Sequence, residues 1–246
     1  MNEEQPHSNS VAPLRNVAAL VELVDRVQNR SFNLPGMATF YGPSGFGKTF
    51  AAIHTTNRFQ AVSIQVKSTW TQKKLCQAIL TEIGISHPKT VSDMVDDISQ
   101  HLAVHDQPLL IDEADFLVQR KMVEIVRDIH EGSGAPVILI GEEQLPQKLR
   151  EWERVHGRML DWVAAEPGDM SDVKHLARLY VPGIKIAEEV LDVLLKASHG
   201  SIRRIRVNLD HVLELAKKKG LREVKADDWG RRTFFTGTAP TPRKAV

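Results

Sequence analysis

The chain has little of several features that define specialised protein classes. It contains a single cysteine, Cys76, so an internal disulfide is impossible and a disulfide-stabilised secreted fold is excluded. No apolar run approaches the roughly 18 residues of a membrane-spanning helix, and the first residues lack the pattern of a secretory leader. These absences predict a protein of the reducing cytoplasm with no membrane segment.

Net charge is only +1, but it is unevenly distributed. Residues 1–173 contain 16 Lys and Arg against 23 Asp and Glu, whereas residues 174–246 contain 16 against 8. A basic C-terminal third favours contact with a polyanion, nucleic acid first, and a solvated basic face is the alternative. With 246 residues, 42% of them hydrophobic, the chain can form one large domain or a domain with a smaller satellite.

The most specific motif lies at residues 42–49, Gly-Pro-Ser-Gly-Phe-Gly-Lys-Thr, which matches the phosphate-binding pattern G-x-x-x-x-G-K-[ST]. The glycines allow backbone N–H groups to surround a polyphosphate. Lys48 is expected to reach the β- and γ-phosphates and Thr49 to ligate Mg²⁺. The motif predicts ATP and Mg²⁺ as cofactors. The candidate nucleotide-binding residues are Gly42, Pro43, Ser44, Gly45, Phe46, Gly47, Lys48, Thr49 and Phe50.

A second motif, Pro108–Asp115, supplies carboxylates at the end of an apolar run. We expect Asp112 to hold Mg²⁺ and Glu113 to activate water as a general base. Alternation along the strand would place the Glu113 side chain on the other side of the strand end. A buried strand with a capped acidic turn is the alternative, and we expect Asp115 to be a turn or cap residue.

Hydrophobic periodicity predicts strands alternating with helices up to a boundary near residue 168, then helices alone. Such alternation implies a parallel sheet covered on both faces, with one strand inserted between the two nucleotide motifs. The predicted strands are 37–41, 61–66, 108–112, 137–140 and 160–164. The predicted helices are 17–28, 48–58, 71–83, 90–104, 116–130, 144–156, 172–180, 187–198, 202–219 and 226–229.

With these motifs placed, the chain resembles an AAA+ ATPase over roughly residues 15–230. The fold class implied is α/β: an AAA+ P-loop NTPase with a five-stranded parallel sheet and a small C-terminal helical lid domain. The expected domains are a flexible tail (1–14), the nucleotide-binding domain (15–168), the lid (169–235) and a second flexible tail (236–246). Within the family, the layout is most similar to the target-capture ATPases of Mu-like transposing phages and transposons. It is also similar to secretion-type ATPases, which have a Gly-x-x-x-Leu step after the fourth strand, here residues 141–145.

The resemblance implies three further sites. A polar sensor follows the fourth strand, where this chain has Glu142; a carboxylate is awkward beside a phosphate, so Gln144 is the alternative. An arginine finger that reaches a neighbouring subunit's ATP is expected at Arg158, with Arg154 second. Arg203, in a Gly-x-x-Arg sequence, matches the second sensor, and a DNA-facing arginine is its alternative.

Clustered basic residues provide candidate contacts to double-stranded DNA. We expect non-specific phosphate contacts, because no base-reading motif is visible. The candidate DNA-binding residues are Lys73, Lys74, Arg204, Arg206, Lys217, Lys218 and Lys219. A run of lysines at a helix C-terminus also offsets the helix dipole, which is the alternative role for residues 217–219.

Together these features predict an ATPase that assembles on DNA with ATP as a ring or helical filament. By resemblance, it selects target DNA and activates a transposase, in a bacterial host's cytoplasm if phage-encoded. The alternatives are a helicase loader, a secretion-type ATPase, or a nucleotide-gated scaffold with negligible hydrolysis.

Overall fold

The structure is a computed structural model that describes residues 14–239, and it divides into two compact units. The first unit comprises Arg15–Pro167, and the second contains the described chain from Gly168 onward together with Leu14. Residues 1–13 and 240–246, which carry most of the two predicted tails, lie outside the described residues.

Five parallel strands form the sheet of the first unit, which confirms the predicted fold class. They lie in the order β2-β3-β4-β1-β5, so the two motif strands, β1 and β3, are separated by β4. Every residue of β3 and β4 is buried, as expected for apolar strands covered on both faces. The strands are β1 (Met37–Tyr41), β2 (Val62–Gln65), β3 (Leu109–Asp112), β4 (Val137–Gly141) and β5 (Met159–Ala164).

Helices cover the sheet and connect its strands, and their starts follow local capping chemistry. The hydroxyl of Thr71 accepts a hydrogen bond from the Lys74 N–H, and that of Thr90 accepts one from the Asp93 N–H. The helices of this unit are α1 (Arg15–Gln28), α2 (Lys48–Phe59), α3 (Gln72–Glu82), α4 (Val91–His105), α5 (Asp115–Gln119), α6 (Val123–Ser133), α7 (Leu145–Leu149) and α8 (Glu153–His156).

Two long helices predicted from periodicity are wrong, because each is broken once. The stretch 116–130 splits into α5 and α6 where Lys121 adopts a left-handed backbone with φ 54°. Met122 remains buried across this break, so the apolar period continues although the helix does not. The stretch 144–156 splits into α7 and α8 before Trp152, whose ψ of 72° is not helical. Periodicity reports which face is buried, not where the backbone turns.

The second unit is mainly helical, but the prediction that strands end before it is wrong. Two-residue strands β6 (Lys185–Ile186) and β7 (Glu223–Val224) form a parallel pair. Strands this short carry no readable alternation, which explains the miss. The helices of this unit are α9 (Met170–Tyr180), α10 (Glu188–Ser198), α11 (Ile202–Lys219) and α12 (Ala226–Trp229).

A fully buried asparagine fastens the C-terminal segment to the second unit. The Asn208 amide donates to the Ser198 hydroxyl and the Phe235 carbonyl, both at 3.0 Å, and its oxygen accepts from the Phe235 N–H at 2.7 Å. Beside it, Phe234 stacks on Trp229 with ring centroids 4.3 Å apart. The segment after α12 is therefore part of the packed unit.

Candidate functional site

The predicted nucleotide motifs meet at one edge of the sheet. The P-loop follows β1, Asp112 ends β3, and Gly141 ends β4. These three strands are neighbours and parallel, so their carboxyl ends lie side by side. We call this the carboxyl edge and the opposite one the amino edge. Ligands of open α/β sheets bind at the carboxyl edge.

The P-loop backbone has the conformation that phosphate binding requires. Gly45 has φ 89° and Gly47 has φ 83°, values that residues with a Cβ rarely adopt. Gly47 directly precedes α2, so the first N–H groups of that helix face the loop. The spacing of glycines in the sequence is thus explained by the turn that they form.

Lys48 lies with its ammonium group inside this loop. Its Nζ donates to the carbonyl of Gly42 at 2.6 Å and to that of Pro43 at 2.9 Å. Burial lowers the pKa of Lys48, while the nearby carboxylates Asp112 and Glu113 oppose that shift. A cation held here is placed to stabilise phosphate charge.

The side chains of Thr49 and Asp112 lie close enough together to bind one metal ion. The Thr49 hydroxyl donates to Asp112 Oδ2 at 2.8 Å, across 63 residues of sequence. Asp112 is buried. Within residues 14–239 no group of three or more His, Cys, Asp or Glu side chains could hold a metal alone. Two oxygen ligands suit Mg²⁺, which usually combines one or two protein ligands with water and substrate phosphates.

Glu113 adopts a geometry that strand alternation did not predict. The strand ends at Asp112, and Glu113 has a left-handed backbone with φ 56°. Its N–H donates to Asp112 Oδ1 at 2.9 Å. Partial burial and then the Asp112 charge raise the pKa of the Glu113 carboxyl, which makes it a stronger base once ionised.

Asp115 joins the two loops that flank this site, a role the sequence did not reveal. It is buried, and its Oδ2 accepts from the Glu142 N–H while its Oδ1 accepts from Lys148 Nζ, both at 2.6 Å. A side chain at Gly141 would collide with the same carboxylate. Asp115 therefore bridges the loops after β3 and β4 rather than capping a turn. No short-range sequence pattern links positions 115 and 148, so the contact between them could be predicted only from the order of the strands in the sheet.

The sensor candidate Glu142 is exposed, with its backbone fixed by Asp115. Its charge lies close enough to Lys48 and Glu113 to influence the pKa of both. Gln144, the alternative sensor, is also exposed and directly precedes α7. The sensor assignment stays a prediction.

Arg158 lies at the amino edge of the sheet, directly before β5. Its carbonyl accepts from the Met37 N–H at 3.0 Å, and its guanidinium pairs with Glu131 at 2.7 Å. The five residues of β1 span about 16 Å between this edge and the P-loop. Arg158 is therefore placed away from its own P-loop, as a residue acting on a neighbouring copy must be. Arg154 is exposed on α8 and, among residues 14–239, forms no ion pair.

The candidate DNA-binding residues differ in their freedom. Arg206 stacks on the Tyr180 ring at 4.1 Å and pairs with Asp210, so it is partly engaged within the second unit. Arg204 lies against Gly237. The remaining candidates are exposed: Lys73, Lys74, Lys217, Lys218 and Lys219. Of these, Lys73 donates to the Lys89 carbonyl at 3.2 Å and Lys219 to the Asp228 carbonyl at 3.0 Å. Arg203 is also exposed, in the first turn of α11.

Cys76 is fully buried, and burial raises the pKa of its thiol to about 11. A thiol of this kind is protonated at neutral pH and unreactive. This environment is that of a small core residue and not of a nucleophile.

One known family matches the part of the chain that carries the two nucleotide motifs. Residues 33–149, which contain both nucleotide motifs, match the family described as "AAA domain". The chain contains an AAA-type P-loop ATPase domain. No curated protein matches the sequence. No helix within residues 14–239 has the length and apolar character needed to cross a membrane.

Solved structures similar to this chain include ORC and Cdc6 proteins. The ORC2 protein of Aeropyrum pernix in its ADP form has a TM-score of 0.68 and 14% identity, with 92% of this chain and 69% of that one covered. The ORC1 protein of the same organism, in complex with DNA, has a TM-score of 0.63 and 18% identity, covering 87% and 62%. Cdc6p of Pyrobaculum aerophilum has a TM-score of 0.61 and 15% identity, covering 90% and 68%. At these identities the likeness shows the fold, and the chain spans about two thirds of their length.

Proposed function

We propose that this chain is an ATP-dependent DNA-binding ATPase whose copies assemble when ATP is bound. The observation that carries the proposal is the convergence of Lys48, the Thr49–Asp112 pair and Glu113 at the carboxyl edge. Each has the chemical character that its role needs: a cation for phosphate, two oxygens for a metal, and a carboxylate base.

In the proposed reaction, water would attack the γ-phosphorus of bound ATP and the bond to ADP would break, giving ADP and phosphate. The P-loop amides and Lys48 would hold the phosphates, and Thr49 and Asp112 would hold Mg²⁺, which would offset the phosphate charge. Glu113 accepts a proton from the attacking water, which its raised pKa favours. Asp115 keeps the loop that carries Glu142 against the loop that carries Glu113.

Assembly is proposed because Arg158 lies at the amino edge. An arginine there stabilises transition-state charge only when another copy brings its carboxyl edge close. Its pairing with Glu131 is between half-exposed groups, so exchanging that partner for a phosphate costs little.

DNA is the proposed polyanion because the C-terminal third is basic and exposes Lys217 and Lys218 at the end of α11. A similar fold, the ORC1 protein, was solved in complex with DNA. Individually weak phosphate contacts become strong when ATP aligns many copies on one duplex.

Fluorescence anisotropy with a labelled 40-base-pair duplex tests this coupling. We expect tight binding with a slowly hydrolysed ATP analogue, weak binding with ADP, and a steep loss of affinity with salt. Replacing Lys217 and Lys218 together by Gln should reduce the salt slope by about 2, because each phosphate contact contributes about 0.9. Lys196→Gln, at an exposed lysine of α10 paired with Asp192, is the matched control. Nucleotide-independent or salt-independent binding would contradict the proposal.

The finer role, selection of target DNA for a transposase, is proposed from the motif layout alone. The likeness to the ORC and Cdc6 structures is equally compatible with the alternative role of a helicase loader. Both roles share ATP-dependent DNA binding, so adding a purified transposase separates them. Stimulated strand transfer would favour target capture, and indifference to the transposase would favour the loader. A secretion-type ATPase should not respond to DNA at all.

A further inference from the structure

A buried asparagine of α1 contacts both the P-loop and the segment that leads into the second unit. Asn16 is only 5% exposed. Its Nδ2 donates to the carbonyl of Phe46 and to that of Glu166, both at 2.8 Å. Its Oδ1 accepts from the Glu166 N–H at 2.9 Å. One carboxamide therefore joins positions that are 30 and 150 residues away in sequence.

The segment held by Asn16 also lies against the start of the P-loop. The Ala165 N–H donates to the Tyr41 carbonyl at 2.7 Å. A Cβ placed on Gly42 would lie 3.2 Å from the Ala165 carbonyl oxygen, so the two backbones approach closely. Because Glu166 is bonded to Asn16 through both its N–H and its C=O, this segment has little freedom to move apart from the P-loop.

The chain passes from the first unit to the second after Pro167. The Gly168 N–H donates to the Gly200 carbonyl at 2.8 Å, a bond within that unit. A Cβ on Gly168 would lie 2.8 Å from Ile202 Cδ1. Only Pro167, whose φ is fixed by its ring, separates the two anchored residues. Gly200 lies two residues before α11, whose first turn carries Arg203.

We propose that Asn16 is a positioning residue that transmits nucleotide binding at the P-loop to the chain entering the second unit. The proposal rests on the nucleotide binding proposed above. A shift of the Phe46 carbonyl either carries Glu166 with it or breaks hydrogen bonds to a buried amide. Breaking them leaves buried polar groups unpaired, which is costly, so the linked movement is favoured.

A purely structural role makes a different prediction. If Asn16 only secured α1, its loss would lower stability but leave the response of the second unit to nucleotide unchanged. The informative measurement is therefore the nucleotide-dependent change in the second unit, compared between variants that all bind nucleotide.

Hydrogen–deuterium exchange of the full chain provides that measurement, with and without a slowly hydrolysed ATP analogue and Mg²⁺ at saturation. In the wild type we expect nucleotide to change exchange in peptides covering 42–49, 164–170 and 198–206. In Asn16→Ala we expect the 42–49 response to remain and the other two to fall at least about threefold, with ATP affinity lower by about tenfold. Asn29→Ala is the matched control, because Asn29 is exposed, directly follows α1, and donates to Asp25.

The outcomes are distinguishable. An unchanged response of 164–170 and 198–206 in Asn16→Ala would overturn the proposal while the proposed function stands. Loss of the 42–49 response in a folded Asn16→Ala at saturation would also overturn it, since Asn16 would then serve the P-loop alone. No nucleotide response anywhere in the wild type would overturn both proposals. If Asn16→Ala unfolds below the assay temperature, Asn16→Asp is the second variant, because it keeps the side-chain acceptor and removes both N–H donors. An undiminished nucleotide response of 164–170 and 198–206 in Asn16→Asp would contradict the coupling.

Discussion

The charged side chains at the carboxyl edge of the five-stranded sheet differ from those at the amino edge in burial and in hydrogen bonding. At the carboxyl edge, the buried Asp112 and Asp115 are each bonded by specific donors, and Lys48 is enclosed by loop carbonyls. At the amino edge, Arg158 and Glu131 are both about half exposed and pair with each other. Buried, fully bonded charges fix geometry, whereas exposed pairs exchange partners easily. The carboxyl edge is thus suited to chemistry and the amino edge to docking.

The largest effect should come from removing the cation of the carboxyl edge. We expect Lys48→Ala to abolish measurable ATP binding and, with it, ATP-dependent DNA retention, because the loop loses the ammonium group that its carbonyls hold. Titration with a fluorescent ATP analogue measures the first effect. Lys196→Ala, at an exposed lysine, should bind like the wild type. Retained binding in Lys48→Ala would remove the basis for assigning phosphate contact to this edge.

The docking role of the amino edge is tested by Arg158→Ala. We expect ATP turnover to fall by about 1,000-fold while the affinity of the isolated chain for ATP is unchanged. Mixing Arg158→Ala with Lys48→Ala should restore part of the turnover, since one supplies a working P-loop and the other the arginine. Arg154→Ala should retain activity. If Arg154→Ala were the inactive variant instead, the finger would be reassigned to α8.

Removing the general base at the carboxyl edge should lower ATP turnover somewhat less. We expect Glu113→Gln to reduce turnover by about 100-fold or more while ATP-dependent assembly on DNA persists. The phosphate-release assay and anisotropy report these separately. Glu143→Gln is the control, because Glu143 is exposed in the loop that follows β4. Equal turnover in Glu113→Gln and wild type would favour the nucleotide-gated scaffold.

Because the charged pair at the carboxyl edge is more buried than the pair at the amino edge, breaking it should lower the free energy of unfolding more. We expect Asp115→Asn to lower the free energy of unfolding by about 3 kcal/mol, because Lys148 loses the partner of a largely buried pair. Glu131→Gln removes the half-exposed partner of Arg158 at the amino edge and should cost less than about 1 kcal/mol. Urea denaturation measures both. Similar costs at the two positions would mean that burial does not distinguish the edges.

The smallest effect concerns the pH dependence of Glu113. Burial raises the pKa of Glu113 in the folded state, so its contribution to stability is complete below the unfolded value of about 4.5 and is lost as pH rises through the folded value. Glu113→Gln should therefore gain stability relative to wild type as pH rises through that window, and the difference should vanish in acid. Activity should show the opposite trend and fall as the base is protonated. A pH-independent difference in urea midpoints would contradict the raised pKa.

Much of the carboxyl edge was predictable because its residues lie in contiguous motifs. Lys48, Thr49 and Asp112 carry their roles in short patterns, and apolar runs predicted the sheet that brings them together. Asp115, Lys148 and Asn16 were missed because their partners are distant in sequence and become neighbours only through strand order. The breaks at Lys121 and Trp152 were missed because apolar periodicity continues across them.

The left-handed backbone at Glu113 has an evolutionary consequence. Glycine and asparagine adopt positive φ with less strain than glutamate, so both would relax this turn. If a related chain no longer needed to hydrolyse nucleotide, we would expect it to acquire glycine or asparagine at this position. Its free energy of unfolding should rise as its catalytic activity is lost. Glutamate at this position therefore strains the backbone, a cost that the proposed role as general base would justify.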